Sequence, residues 1–265
     1  MTLRDFEEHR QRAHIVKELG FSVELDGDEL RGSAAIVPEM FVPGTSVLRT
    51  SILACWTDTI AGIRASGTLT DKTPVTLALD IHLHHPPEGL TEVHLTSRLL
   101  KAGSSVVAIE VELLSDHGPL GVGTVTFMAA PAPAITLPPM AELVEHSGDG
   151  NSRLALPFAD RARCERREAG VAAIPLMEDA TNASLTLNGG LLALAVEEAA
   201  LSALPASTLS SLNLHYLRPV RVGPAVARAV GDRDLARVEV TDAGADDRLA
   251  VVATVRAFDA TTDHW

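Results

Sequence analysis

Aromatic side chains are scarce in this sequence, at 3% of 265 residues with a single tyrosine. That leaves little for a protein that reads single-stranded nucleic acid by stacking bases on rings. Cysteine is nearly absent as well. Cys55 and Cys164 are the two present, far apart and outside any CxxC or zinc-ligand spacing, so two reduced, buried thiols are expected rather than a disulfide framework or metal centre. Basic residues are outnumbered, 22 Lys+Arg against 35 Asp+Glu, for a net charge of −13. A broad nucleic-acid footprint needs clustered Lys and Arg to displace counterions, and that balance argues against one. It leaves room for an anionic ligand held by a small local patch. No run of eighteen apolar residues is free of charges and turn formers, so no membrane-spanning helix is expected. The first ten residues, from Met1 to Arg10, are charged and lack the apolar core of a signal peptide; a cytoplasmic protein is the expectation.

What is present is enough apolar material for a real core, 46% of residues with a mean hydropathy of +0.16. Residues 1–18 read as a short amphipathic helix. Strands follow at Phe21 to Leu25 and Leu30 to Val37, around an Asp26-Gly27-Asp28 turn. A helix is predicted from about Ser46 to Ser66, in which Asp58 is the one charge between Arg49 and Arg64. Four strands come next, Val75 to His84, Thr91 to Lys101, Ser105 to Ser115 and Gly121 to Met128, separated by Pro/Gly-rich turns. The proline-rich stretch from Pro131 to Pro139 reads as an extended linker that ends near Ser152, with one helical turn at Met140 to Glu145. In the second half, strands are predicted at Glu168 to Leu176, Thr208 to Leu217, Ala225 to Val230, Leu235 to Asp242 and Leu249 to Phe258. Between the first two of these, the turn-prone Thr181 to Asn188 leads into the apolar helix-forming run that begins Gly189-Gly190 and carries Glu197.

The two halves repeat one another. Arg49 and Asn188 precede the two long helices and are 139 residues apart; Asp58 and Glu197 lie within them and are also 139 apart. In the next strand Asp80-Ile81-His82-Leu83 and Pro86 match Asn213-Leu214-His215-Tyr216 and Pro219 at an offset of 133, and Thr124-Val125 matches Thr254-Val255 at 130. The offset changes where loops differ in length, as in a duplicated domain. The domains are therefore expected at residues 1–130 and 156–265, with residues 131–155 as the linker.

At Asn182, Asn188-Gly189-Gly190, Glu197 and Tyr216-Leu217-Arg218-Pro219-Val220-Arg221-Val222-Gly223 the chain resembles the hotdog-fold acyl-CoA thioesterases, in particular the phenylacetate-degradation (PaaI-like) branch. That branch has a loop Asn, then His-Gly-Gly at the helix start and an acid nine residues past the His; here Asn188 stands in the His position. The first copy departs further, with Pro43 in place of the loop Asn and Arg49-Thr50-Ser51 in place of His-Gly-Gly, although Asp58 is kept. The resemblance implies an α+β fold of two tandem hotdog domains, each a long central helix wrapped by an antiparallel β-sheet, paired into a double hotdog. It implies hydrolysis of an acyl-CoA thioester without a separate cofactor, coenzyme A being part of the substrate, and a homodimer of double hotdogs.

The resemblance also implies a site between the copies, where one helix start faces the other copy's acid. Free N–H groups at a helix start stabilise an oxyanion, glycine lets substrate approach them, and a carboxylate in an apolar cleft acts as base or nucleophile. The better site is expected to combine Asn182, Asn188, Gly189 and Gly190 with Asp58, and the poorer one Arg49, Thr50 and Ser51 with Glu197. A structural acid bound to a cation at the domain interface is the alternative for both carboxylates. Arg218, Arg221 and Arg49 are candidate ligands for the phosphates of coenzyme A; for Arg218 and Arg221, surface charge alone is an equal reading. His82 and His84 share a strand face while His85 points away, and no ligand spacing completes a metal site. A non-catalytic acyl-CoA or acyl-chain binding protein, and less so a hydratase or dehydratase, are the alternative functions.

Overall fold

The computed structural model describes residues 14–69, 72–130, 139–182, 184–204 and 208–258. The amphipathic helix expected at 1–18 lies mostly outside them; within them Ile15–Leu19 is a short 3-10 helix capped by His14 and closed by Gly20 at φ 72°. The first half then runs β1 (Ser22–Asp26), β2 (Glu29–Ala35), the long helix α1 (Thr50–Thr68), β3 (Thr73–Leu83), β4 (Glu92–Ala102), β5 (Val106–Ser115) and β6 (Gly118–Ala130). Two short helices follow, α2 (Met140–Glu145) and α3 (Phe158–Arg161). The second half is β7 (Glu165–Glu168), β8 (Val171–Ile174), the long helix α4 (Gly189–Ala203), β9 (Leu209–Tyr216), β10 (Ala225–Asp232), β11 (Leu235–Asp242) and β12 (Arg248–Ala257). The single strand expected from Glu168 to Leu176 is instead the second arm of a hairpin, because Gly170 at φ 78° turns the chain.

All twelve strands form one antiparallel sheet in the order β1-β2-β4-β5-β6-β3-β9-β12-β11-β10-β8-β7. The order reads the same from either end once each strand is exchanged for its repeat partner, so the two halves are related by a local two-fold axis at the β3–β9 seam. The register there confirms the repeat. Asp80 pairs with Asn213, its own counterpart at offset 133. Asp80 also pairs with Thr124 and Asn213 with Thr254, which are counterparts at offset 130. The helices begin at Thr50 and Gly189, at offset 139.

Both long helices lie on one face of the sheet and pack on each other. The alternating strand residues that face them are buried, among them Leu79 and Ile81 of β3, Ile109 of β5, Val125 of β6, Leu212 and Leu214 of β9 and Val255 of β12. They form one continuous core with the helices, which is how a double-length sheet hides its inner face. The segment expected as an extended linker is woven into the first half: Gly148 N–H donates to Phe21 O at 2.8 Å, Ala35 N–H to Gly150 O at 2.9 Å and Arg153 N–H to Glu18 O at 2.8 Å. Its proline-rich part, residues 131–138, lies outside the described residues. No described helix is long and apolar enough to cross a membrane.

Candidate active site

The local two-fold brings each helix's acid toward the start of the other helix, and the two resulting sites differ. In one, Glu197 of α4 reaches the start of α1. Its carboxylate accepts Ser51 N–H at 3.3 Å, Ser51 Oγ–H at 2.6 Å and Arg49 Nη1–H at 3.3 Å. Arg49 also donates to Glu198 at 2.5 Å, and Arg166 closes the other side of Glu198. Arg49 and Glu197 are both 0% exposed. Burial pushes the Glu197 carboxyl up, and Arg49 and Ser51 pull it partly back. Here the acid itself occupies the helix start, taking the Ser51 N–H, one of those an oxyanion would use. This pairing is the buried, cation-bound alternative for Glu197. Arg49, expected among the phosphate ligands, has its guanidinium buried, with Nη1 held between the two carboxylates.

The equivalent site at the start of α4 is open. Asp58 is one methylene shorter than Glu197 and makes no hydrogen bond to α4. Its Oδ1 accepts Thr76 Oγ1–H at 3.0 Å. Thr76 reaches it through a bulge: Thr76 pairs with Phe127 and Ala78 with Thr126, leaving Leu77 as the extra residue. The extra residue flips the strand's parity and turns Thr76 onto the inner face. The second half has the same bulge, skipping Ser210, but places Leu209 there. The Asp58 side chain keeps partial contact with solvent, yet burial raises its pKa to about 6, the Thr76 hydroxyl lowering it in part.

Opposite Asp58, Gly190 packs against Cys55, one turn before Asp58 on α1. A Cβ at Gly190 would stand 2.2 Å from Cys55 Sγ, so glycine is required for this helix crossing. Burial and the nearby Asp58 raise the Cys55 thiol far above its usual range. Tyr216 Oη–H donates to Gly189 O at 3.1 Å, and its pKa is pushed up by burial and by Asp58 and Cys55. Asp58, Cys55, Tyr216, Gly189 and Gly190 therefore share one locale between the halves.

Asn188 is the N-cap of α4. Its Oδ1 accepts Gly190 N–H at 2.8 Å, which fixes the amide orientation and turns Nδ2 away from the helix. Gly190 N–H, expected as an oxyanion donor, is therefore already engaged. Among the described residues, neither Gly189 N–H nor Asn188 Nδ2 meets an acceptor, and these two are the donors left. Asn182 does not join them. Its Oδ1 accepts Ser184 N–H at 2.9 Å, Thr186 N–H at 3.2 Å and Thr186 Oγ1–H at 3.1 Å, so it shapes the loop before α4. Arg218 and Arg221 are exposed on the adjacent loop, donating to the carbonyls of Leu249 and Ser184. That loop is held by Asp242, which accepts three backbone N–H groups from Arg221, Val222 and Gly223, at 2.8, 3.2 and 2.7 Å.

His82 is exposed on the outer face of the sheet near Asn213, and the His85 ring lies against the carbonyls of Pro86 and Pro119. Thr76, Cys55 and Tyr216 were not singled out by sequence as site residues. For Tyr216 the signal was its place in the strand-end segment; for Thr76 the bulge hid it.

No family model matches the chain, and no curated protein matches it. Its fold, in contrast, is shared with many solved structures. The TesB protein of Mycobacterium avium subsp. paratuberculosis aligns over 97% of this chain and 99% of its own, with TM-score 0.59 and 12% identity. An acyl-ACP thioesterase from Bacteroides thetaiotaomicron aligns over 91% and 98%, with TM-score 0.57 and 14% identity. The 12:0-ACP thioesterase of Umbellularia californica aligns over 88% and 98%, with TM-score 0.56 and 12% identity. The chain is thus an α+β double hotdog. More particularly, it shares that fold across nearly its whole length with solved proteins, several of them described as thioesterases.

Proposed function

We infer that the protein hydrolyses an acyl-CoA thioester, using the Asp58 site and not the Glu197 site. One observation carries this: of two acids at repeat-equivalent positions, Glu197 is buried against Arg49 and Ser51, whereas Asp58 is left with one hydroxyl partner and solvent contact. In a thioester bound with its carbonyl oxygen toward Asn188 Nδ2 and Gly189 N–H, those donors and the positive end of α4 stabilise the tetrahedral oxyanion. Asp58, ionised above about pH 6, takes the proton of an attacking water as the C–O bond forms. Collapse of the intermediate breaks the C–S bond and expels the thiolate, leaving a carboxylic acid. Thr76 holds the Asp58 carboxylate, and Tyr216 fixes Gly189. Arg218 and Arg221, exposed on the adjacent loop, are the cations this reading assigns to the phosphates of the coenzyme. The fold neighbours described as thioesterases support the reaction class.

The engagement of Gly190 N–H by Asn188 favours a second reading, a protein that binds acyl-CoA without hydrolysing it. Incubation with a panel of acyl-CoAs and a thiol-specific dye separates the two. The hydrolase reading requires thiol release that Asp58→Asn abolishes. Tight binding with release at the background rate would leave the binding reading standing.

A further inference from the structure

The sheet ends in β1 on one side and β7 on the other, and the two edges are treated differently. Ser147 and Gly148, which follow α2, lie along β1: Val23 N–H donates to Ser147 Oγ at 2.8 Å and Gly148 N–H to Phe21 O at 2.8 Å. α2 itself packs Met140 and Leu143 against the core, and Met140 Sδ lies 2.6 Å from where a Cβ at Gly67 would stand, near the end of α1. At the opposite edge, Glu165, Arg166, Arg167 and Glu168 of β7 are all exposed. Among the described residues, only β8 bonds to the β7 backbone. An open strand edge is a template for another chain, and native sheets cover such edges with a helix or loop.

We propose that residues 3–11 of this chain cover the β7 edge, as a repeat copy of α2 and the two residues that follow its cap. Leu3-Arg4-Asp5-Phe6-Glu7-Glu8-His9 matches Met140-Ala141-Glu142-Leu143-Val144-Glu145-His146 at an offset of 137, with apolar, acidic and His positions in the same order. The offset becomes 143 at the next elements, where buried Ile15 and Leu19 match buried Phe158 and Ala162, and Gly20 and Arg163, both at positive φ, match each other. The local two-fold holds there too: Glu18 and Arg161, counterparts at offset 143, bond at 2.6 Å. The second copy's lead-in crosses onto the first half. The first copy's lead-in makes the reverse crossing where the described chain begins, since the His14 ring nitrogen lies 3.0 Å from Thr181 O. The same symmetry sets Gln11, counterpart of Gly148, against Cys164, counterpart of Phe21. The chain can reach. His14 O accepts Glu18 N–H at 3.3 Å, Glu18 holds Arg161, and Cys164 is three residues further on. Three extended residues, from His14 to Gln11, span about 10 Å. The charges are matched as well. Arg163 and Arg167 meet no carboxylate among the described residues, and Asp5, Glu7 and Glu8 supply three. Glu7 stands where α2 has Val144, and Arg167 where β1 has Glu24. The cover adjoins Arg166, which holds Glu198, and so closes the sealed Glu197 site from outside.

The test is hydrogen exchange, read by mass spectrometry on the full wild-type chain and on Leu3→Asp/Phe6→Asp. Amides of residues 165–168 are expected to exchange at least about tenfold faster in the variant, while the β3–β9 seam exchanges as before. Equal exchange of residues 165–168 in the two proteins overturns the proposal. So does wild-type protection that fades on dilution, which assigns the edge to a second copy of the chain. Gln11→Cys then checks the register. Oxidation with diamide is expected to join residue 11 to the native Cys164 within one chain, since the bond forms only between closely apposed backbones. A bond between chains, or none to Cys164, overturns the placement. Both readouts are independent of acyl-CoA hydrolysis, so they decide the edge whatever the Asp58 site does.

Discussion

Replacing Asp58 by Asn should make the protein more stable at alkaline pH while removing its activity. The side chains are nearly isosteric, and the amide oxygen accepts the Thr76 hydroxyl as the carboxylate does. What changes is charge. Folding raises the Asp58 pKa from 3.8 to about 6, so the native state holds the proton more tightly than the unfolded chain. The ionised form is the one folding disfavours. The penalty is absent below about pH 4, grows between pH 4 and 6 and is complete above, where a shift of roughly 2 units corresponds to ~3 kcal/mol. Partial solvent contact makes that figure a ceiling, and a gain of about 1–3 kcal/mol is expected. For a chain of this size that is on the order of 5 °C in Tm. Urea unfolding or thermal scans of wild type and Asp58→Asn at pH 8 and pH 4 measure it directly. The variant should be the more stable at pH 8, with the difference gone at pH 4. Equal or lower stability at pH 8 would refute the claim that Asp58 is held in a site that disfavours its charge.

Other outcomes follow from the same geometry. Arg49→Ala leaves two buried carboxylates without their shared cation and should cost about 3–5 kcal/mol in urea unfolding. Gly190→Ala drives a Cβ into Cys55 and should cost about 1–3 kcal/mol, with partial recovery in the Gly190→Ala/Cys55→Ala double variant. Thr76→Val removes the hydroxyl that lowers the Asp58 pKa. The acidic limb of the kcat/KM profile, near pH 6 in the wild type, should therefore move to higher pH, which a pH–rate series reads.

The fold was legible because duplication leaves arithmetic behind. The offsets of 139, 133 and 130 reappear as helix starts and strand register, down to Asp80 paired with Asn213. Crossing of the halves, which sets Asp58 against Gly190 and Glu197 against Ser51, was legible from the resemblance. The contents of each site were not. The ion pair that seals Glu197 joins Arg49 to a residue 148 positions away, a contact that no local pattern announces. Thr76 was hidden because a bulge at Leu77 breaks the alternation that assigns strand residues to a face. Asn188 looked like a lost histidine; in the fold it is a helix cap whose side-chain oxygen takes the Gly190 N–H and whose nitrogen meets no acceptor among the described residues. The segment at 148–153 read as the end of a linker by composition, although its backbone pairs with the first half's edge.

The most direct test of a single open site is thiol release by Asp58→Asn and Glu197→Gln, assayed side by side on the same acyl-CoA. The account predicts that Asp58→Asn loses at least about a hundredfold in kcat, while Glu197→Gln, if it folds, stays within a few-fold of wild type. Full activity in Asp58→Asn, with loss in a folded Glu197→Gln, would contradict it.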